Sequence, residues 1–155
     1  MESLKQGYRP NVGLLIFNAD GLVFVGERLD SPGAWQCPQG GIDKGEAPAT
    51  AALRELAEEI GTNNVQILRE HKTPLYYDFP PELTHPITKH YKGQAQFWFA
   101  LKFLGSEGEI KLETADPEFA RYQWVPLAEI IDLAVPFKRE VYRQVVELFK
   151  DLAKF

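Results

Sequence analysis

The sequence predicts an α/β or α+β fold, and three observations carry that reading. Short apolar runs bounded by turn residues fill most of the chain, as strands do. Near the middle, residues 48–60 instead repeat apolar side chains at spacings of three and four, as a helix does. A second stretch with that periodicity closes the chain. The 155 residues fit one domain, 1–155, since single domains commonly run to about 100–200 residues. A content of 45% hydrophobic and 25% charged residues excludes a mostly disordered chain.

The elements follow in order. Asn11 to Phe17 (NVGLLIF) reads as a strand, broken by Asn18-Ala19-Asp20-Gly21 and resumed by Leu22 to Val25. The pair forms a hairpin on an Asp-Gly turn. Ser31-Pro32-Gly33 and Gln39-Gly40-Gly41 read as loops. In the helix, Ala49, Leu53, Leu56 and Ile60 recur on one side; Pro48 suits its first turn and Gly61 its stop. Val65 to Leu68 and Leu75 to Phe79 read as two strands, followed by a proline-containing loop through Pro80, Pro81 and Pro86. Gln94 to Phe103 is rich in aromatics and reads as a central strand, with a shorter one at Tyr122 to Val125. The closing helix carries Val141, Tyr142, Val145, Phe149 and Leu152 as its apolar stripe.

Charge and cysteine narrow the function classes. The balance of 17 Lys+Arg against 22 Asp+Glu gives −5, which excludes an extended basic surface for duplex binding. Cys37 is the single cysteine, so no intramolecular disulfide forms, and it reads as a small buried hydrophobe. The N-terminal residues lack a signal-peptide pattern, and no apolar run is long enough to span a bilayer. A cytosolic protein without a membrane partner is expected.

The chemistry concentrates in Gly40 to Thr62. Glu55, Glu58 and Glu59 sit at i, i+3 and i+4 of the helix and project to one side. Crowded carboxylates repel by about 0.2–0.5 kcal/mol per pair on a solvated helix, a cost that a hard divalent cation turns into a binding site. Taken alone, such a triplet is more often a solvated acidic face, with Arg54 pairing one glutamate.

The flanking residues change that balance. From Gly40 the segment runs five residues to Glu46, seven more, then Arg54-Glu55-Leu56-x-Glu58-Glu59-x-Gly61. This resembles the signature of the Nudix hydrolase family at every polar and glycine position. Thr62 departs from it, standing where the family usually has an aliphatic residue. The resemblance implies a loop–helix–loop within an α/β/α sandwich, with a mixed central sheet and a C-terminal helix. It also implies more than one Mg²⁺ or Mn²⁺ ion, held by Glu55, Glu58 and Glu59 with a backbone carbonyl of the Gly40 loop. Glu46 lies outside the helical grouping and is expected to brace the loop through Arg54, which is counted with the catalytic residues.

A wider resemblance covers Gly7-Tyr8-Arg9-Pro10-Asn11-Val12-Gly13, Trp35-Gln36-x-Pro38-Gln39-Gly40-Gly41, Gly93-Gln94-x-Gln96-x-Trp98-Phe99, Pro117-Glu118-Phe119 and Phe137-Lys138-Arg139. These look like one branch of the family, which acts on triphosphorylated RNA 5′ ends and on dinucleoside polyphosphates. By that likeness Glu118 joins the metal site or acts as base; read by itself, it is a surface turn before a strand. Arg9 and Arg28 match positions that meet phosphate, although isolated arginines commonly end in surface ion pairs. Phe137 and Lys138 match an aromatic-plus-cation pair beside a nucleobase, and Val135 is grouped with them as a substrate contact. Gln39 and Gln94, like Gln96, are neutral hydrogen-bonding groups for loop or substrate. Strand alternation sends one of Tyr76 and Tyr77 toward a cleft, and Tyr77 is expected to stack on the base. His71, His85 and His90 share no ligand spacing and read as surface or loop residues.

The resulting expectation is removal of pyrophosphate from 5′-triphosphorylated RNA by water attack on phosphorus. Asymmetric cleavage of dinucleoside polyphosphates is the alternative, with free nucleoside triphosphates a third substrate class. A catalytically silent nucleotide-binding module is the rival of another kind, and the intact glutamate set weighs against it. Cations neutralising Glu55, Glu58, Glu59 and Glu118 would absorb part of the negative surplus. Arg9, Arg28, Lys138 and Arg139 then suffice for one RNA terminus.

Overall fold

A computed structural model describes residues 4–154. Alternation along the first strand, β1 (Tyr8–Phe17), sets the layers: Val12, Leu14 and Ile16 are buried on one side, Leu15 and Phe17 on the other. A strand buried on both faces needs a cover on each. Helix α1 (Pro48–Ile60) supplies one through Ala51, Ala52, Leu56 and Ile60. Helix α3 (Arg139–Phe149) supplies the other through Val141, Tyr142, Val145 and Phe149. Each fully buried large side chain, Leu56 for instance, contributes roughly 1.5–3 kcal/mol by leaving water.

The sheet is mixed and seven-stranded. Strands β3 (Trp35–Gln36), β2 (Val23–Arg28), β1, β6 (Gly93–Phe103) and β5 (Val65–Asp78) lie in that order. Strand β4 (Gln39–Gly41) pairs with β1, and β7 (Phe119–Val125) with β2. Strands β1 and β6 run parallel from Tyr8↔Gly93 to Phe17↔Lys102, and the remaining pairs are antiparallel. This is the expected α/β/α arrangement. Among the described residues no helix is long and apolar enough to cross a membrane.

Local chemistry explains the boundaries. The Asn18 side chain accepts from the Asp20 and Leu22 amides at 3.0 Å each, and Gly21 takes φ +76°, so the hairpin turns where Asp-Gly predicts. Helix α1 begins at Pro48 and ends on Gly61, which at φ +79° donates its amide to Ala57 O. Three expectations need correction. The two strands of 65–79 are one continuous strand, because register shifts at Ile67/Arg69 and His71/Leu75 absorb the break in alternation. Residues 39–41 are a short strand, since their backbone pairs with Asn11–Gly13. The last strand starts at Phe119, earlier than Tyr122. A one-turn helix α2 (Ile130–Leu133) also precedes α3, too short to register as periodicity.

Candidate active site

The parallel strands β1 and β6 start at the sheet end where β5 finishes, and there a cleft of about 1230 Å³ opens. The sequence dictates its floor through two glycines. A Cβ on Gly40 would lie 2.0 Å from Glu55 Oε2, and one on Gly41 would lie 2.2 Å from Arg9 Nη2. Only bare backbone there lets a carboxylate and a guanidinium settle on neighbouring residues of β4.

Arg54 binds this floor to the helix. Its Nε and Nη2 donate to the two Glu46 carboxylate oxygens at 2.8 Å each, and Nη2 also donates to Gly41 O at 2.9 Å. Its Nη1 donates to Glu55 Oε1 at 2.9 Å and reaches Glu58 at 3.3 Å. Glu46 also accepts from the Asp43 amide at 3.0 Å. Hydrogen bonds from Arg54 hold the Glu46 carboxyl down at about 2. The brace expected of Glu46 is therefore present, and Arg54 acts as its anchor.

The three helix carboxylates occupy three environments rather than one solvated face. Glu58 is exposed, Glu55 is half-buried, and Glu59 is 4% exposed. Among the described residues neither Glu59 oxygen has a partner in good hydrogen-bond geometry, although the Gln39 backbone amide lies close enough to oppose in part the effect of burial. Burial raises the Glu55 carboxyl, although Arg54 opposes the shift. Burial, with the charges of Glu55 and Glu118 nearby, raises Glu59 well above the ordinary carboxylate range. Glu118 is exposed at the start of β7 and lines the same cleft.

Burying a carboxylate without partners costs several kcal/mol unless something compensates it. Among the described residues no three His, Cys, Asp or Glu side chains already form a finished metal centre. Arg54 instead engages two of the acids. The residues nonetheless fit a divalent cation: Glu59 offers two unengaged oxygens, beside Glu55 lying on the Gly40 backbone.

Basic and neutral groups make up the remaining walls. Arg9 lines the cleft with no ion pair among the described residues, whereas Arg28 is clamped by Asp30 at 2.6 and 2.7 Å. Lys138 is buried, and its Nζ donates to Gln36 Oε1 at 2.8 Å and Gln39 Oε1 at 3.4 Å. Burial, reinforced by the charge of Arg28, lowers its ammonium to about 7. Gln36 Oε1 also accepts from Arg28 Nη1 at 3.1 Å, so one carbonyl oxygen couples two cations. The network continues inward: Gln96 Nε2 donates to Gln39 at 3.1 Å and to Asn11 at 2.9 Å, while Trp98 Nε1 donates to Gln96 at 3.2 Å.

Tyr77, Phe137 and Val135 line the cleft, as do Gln39 and Gln94. Tyr77 is 6% exposed and packs on Phe79 and Phe137 at ring separations of 6.0 and 5.8 Å. Tyr76 lies on the opposite face against Tyr8 and Lys5. The residues expected at the site thus line one cleft except three: Arg54 stands behind it, Gln96 is buried beneath Gln39, and the Arg139 guanidinium turns away to donate to Ala134 O and Asp132 O. Sequence reasoning did not find Gln36, Asp30, or the segment after β5 that brings Leu83, His85 and Ile87 to the cleft. Burial of a glutamine between two basic residues leaves no periodic trace, so only the Trp35-Gln36 resemblance touched it.

Comparison with known proteins gives a consistent result. A NUDIX domain model matches residues 7–145. An RNA pyrophosphohydrolase of Rhodospirillum rubrum is 53% identical over 140 residues, covering 90% of this chain and 85% of that protein. Nudix hydrolase 26, chloroplastic, of Arabidopsis thaliana is 44% identical, over 96% of this chain and 72% of its own length. Among solved structures, the Escherichia coli dihydroneopterin triphosphate pyrophosphohydrolase matches 92% of this chain and 99% of its own, with a TM-score of 0.67. At 20% identity it speaks for the fold alone.

Proposed function

Because this chain belongs to the Nudix hydrolase family, we propose that it removes pyrophosphate from 5′-triphosphorylated RNA by water attack on phosphorus. The observation that carries the reading is Glu59, a buried carboxylate with both oxygens unengaged, facing a cleft that also holds Arg9 and Arg28. The likeness to RNA pyrophosphohydrolases over most of both chains supports the substrate.

Glu55, Glu58, Glu59, Glu118 and the Gly40 carbonyl would hold divalent cations, Mg²⁺ or Mn²⁺ and more than one. Such ions, when bound, neutralise phosphate charge and acidify water. Arg9, with no ion pair among the described residues, binds a phosphate oxygen, and Arg28 adds charge from the other wall. Lys138 and Phe137 meet the first nucleobase with Tyr77 and Val135 beside them, and Gln39 and Gln94 orient it. Glu58 and Glu118 are the exposed acids, so the proton leaving water passes through one of them to solvent. Arg54 keeps the loop and Glu55 in register throughout.

The cleft volume, above the roughly 300–1,000 Å³ that commonly hold one small ligand, favours dinucleoside polyphosphates as the second reading. The test is pyrophosphate release with Mg²⁺ from triphosphorylated RNA, set beside diadenosine tetraphosphate and GTP, for wild type and Glu58→Gln. The RNA is expected to turn over fastest and the variant to lose activity. An unchanged variant removes Glu58 from the site, and no turnover of any substrate leaves a binding module.

A further inference from the structure

We propose that Asn11 binds phosphate, its side-chain amide and the Arg9 guanidinium clasping one phosphoryl group; the inference rests on reading this cleft as a polyphosphate site. Asn11 lines the cleft beside Arg9, and its side chain is fully buried. Among the described residues its Nδ2 has no partner in good hydrogen-bond geometry. Folded chains leave few buried donors unpaired, because each forfeits the hydrogen bonds that water gave it. An amide that nothing in the fold completes is one that a ligand can complete.

Donor-only groups fix which way this amide faces. Trp98 Nε1 can only donate, and it does so to Gln96 Oε1 at 3.2 Å. Gln96 Nε2 is therefore the donor to Asn11 Oδ1 at 2.9 Å and to Gln39 Oε1 at 3.1 Å. Lys138 Nζ, which also donates, reaches the same Gln39 oxygen at 3.4 Å, so both ends of the chain agree. Asn11 stands between Gln96 of β6 and Gly41 of β4. With Oδ1 turned to β6, Nδ2 turns to the β4 side.

Arg9 is there already. Side chains of directly opposed residues start about 4.5–5.5 Å apart. Arg9 Nη2 lies 2.2 Å from where a Gly41 Cβ would stand, next to the Asn11 side chain. A guanidinium and an amide nitrogen both donate and cannot satisfy one another. Glu55 meets β4 at Gly40, one residue earlier and so on the opposite side of the strand. Two donors converging on one spot, one of them a cation with no ion pair among the described residues, suit the oxygens of a phosphoryl group.

The experiment is calorimetry of inorganic pyrophosphate, with Mg²⁺ present, on wild type, Asn11→Leu and Asn11→Asp. The leucine removes the donor and is expected to weaken binding about tenfold. The aspartate keeps its shape and the acceptor for Gln96, but sets a carboxylate where the donor stood. It repels phosphate and engages Arg9, so the expected loss is about a hundredfold. A packing role predicts the reverse order, since aspartate is the closer mimic. Unchanged affinity in either variant, or a loss in Asn11→Asp no greater than in Asn11→Leu, overturns the clasp, as does a wild type that binds no pyrophosphate. Should Asn11→Leu melt early, Asn11→Asp alone decides: a loss of tenfold or more supports the clasp and a smaller one overturns it. RNA turnover by wild type is measured alongside. Pyrophosphate binding without turnover sinks the proposed function and leaves the clasp standing, whereas turnover with unchanged variants sinks the clasp alone.

Discussion

Arg54 and Glu59 lie on the same helix, five positions apart, and are opposites. All three Arg54 guanidinium nitrogens are engaged, by Glu46, Gly41 O, Glu55 and Glu58. Glu59 is more deeply buried, and among the described residues neither of its oxygens has a partner in good hydrogen-bond geometry. A fold gains nothing from an unpartnered buried acid, so the contrast separates a structural polar group from a functional one. Arg54 completes the loop with groups of this chain; Glu59 would be completed by the proposed cation.

The contrast can be broken at several points. Glu55→Gln should have the largest effect, lowering kcat/KM by more than about a hundredfold while circular dichroism stays native, because it removes the charge of a proposed ligand. Gly40→Ala comes next: its Cβ meets the Glu55 carboxylate at 2.0 Å, and a displacement near 1 Å can cost about a hundredfold in rate. Arg54→Lys loses the fork on Glu46 and should lower kcat/KM about tenfold and the melting temperature by several degrees. Gln36→Leu should raise KM more than it lowers kcat, since Gln36 touches Arg28 and Lys138 and not the acids.

The smallest effect is on stability against pH. The Glu46 carboxyl is held at about 2, below the unfolded value of about 4.3. Its contribution is therefore complete above pH ~4.3 and is lost as pH falls toward about 2. Melting curves between pH ~5 and ~2.5 should fall less steeply in Glu46→Gln than in wild type.

The sequence made the helix and its acids legible because a signature with fixed spacing lies within one regular element. Pro48 and Gly61 mark both ends of α1, and the structure starts and stops it there. The long β5 was not legible, because its bulges interrupt the alternation that identifies a strand. Nor was the burial of Glu59: helical spacing groups it with Glu55 and Glu58, and only tertiary packing distinguishes it from the exposed Glu58. The polar network was hidden for another reason. Gln36 meets Lys138 from 102 positions away and Gln96 meets Asn11 from 85 away, distances that no local pattern encodes.

The role proposed for the buried Glu59 carboxylate is to hold a cation. The most direct measurement is the melting temperature of wild type and Glu59→Gln with and without Mg²⁺ at neutral pH. A ligand that binds only the folded state raises the melting temperature by mass action. Wild type should gain stability with Mg²⁺, whereas Glu59→Gln, native without it, should gain little or none. An equal Mg²⁺-dependent rise in both proteins would contradict the account.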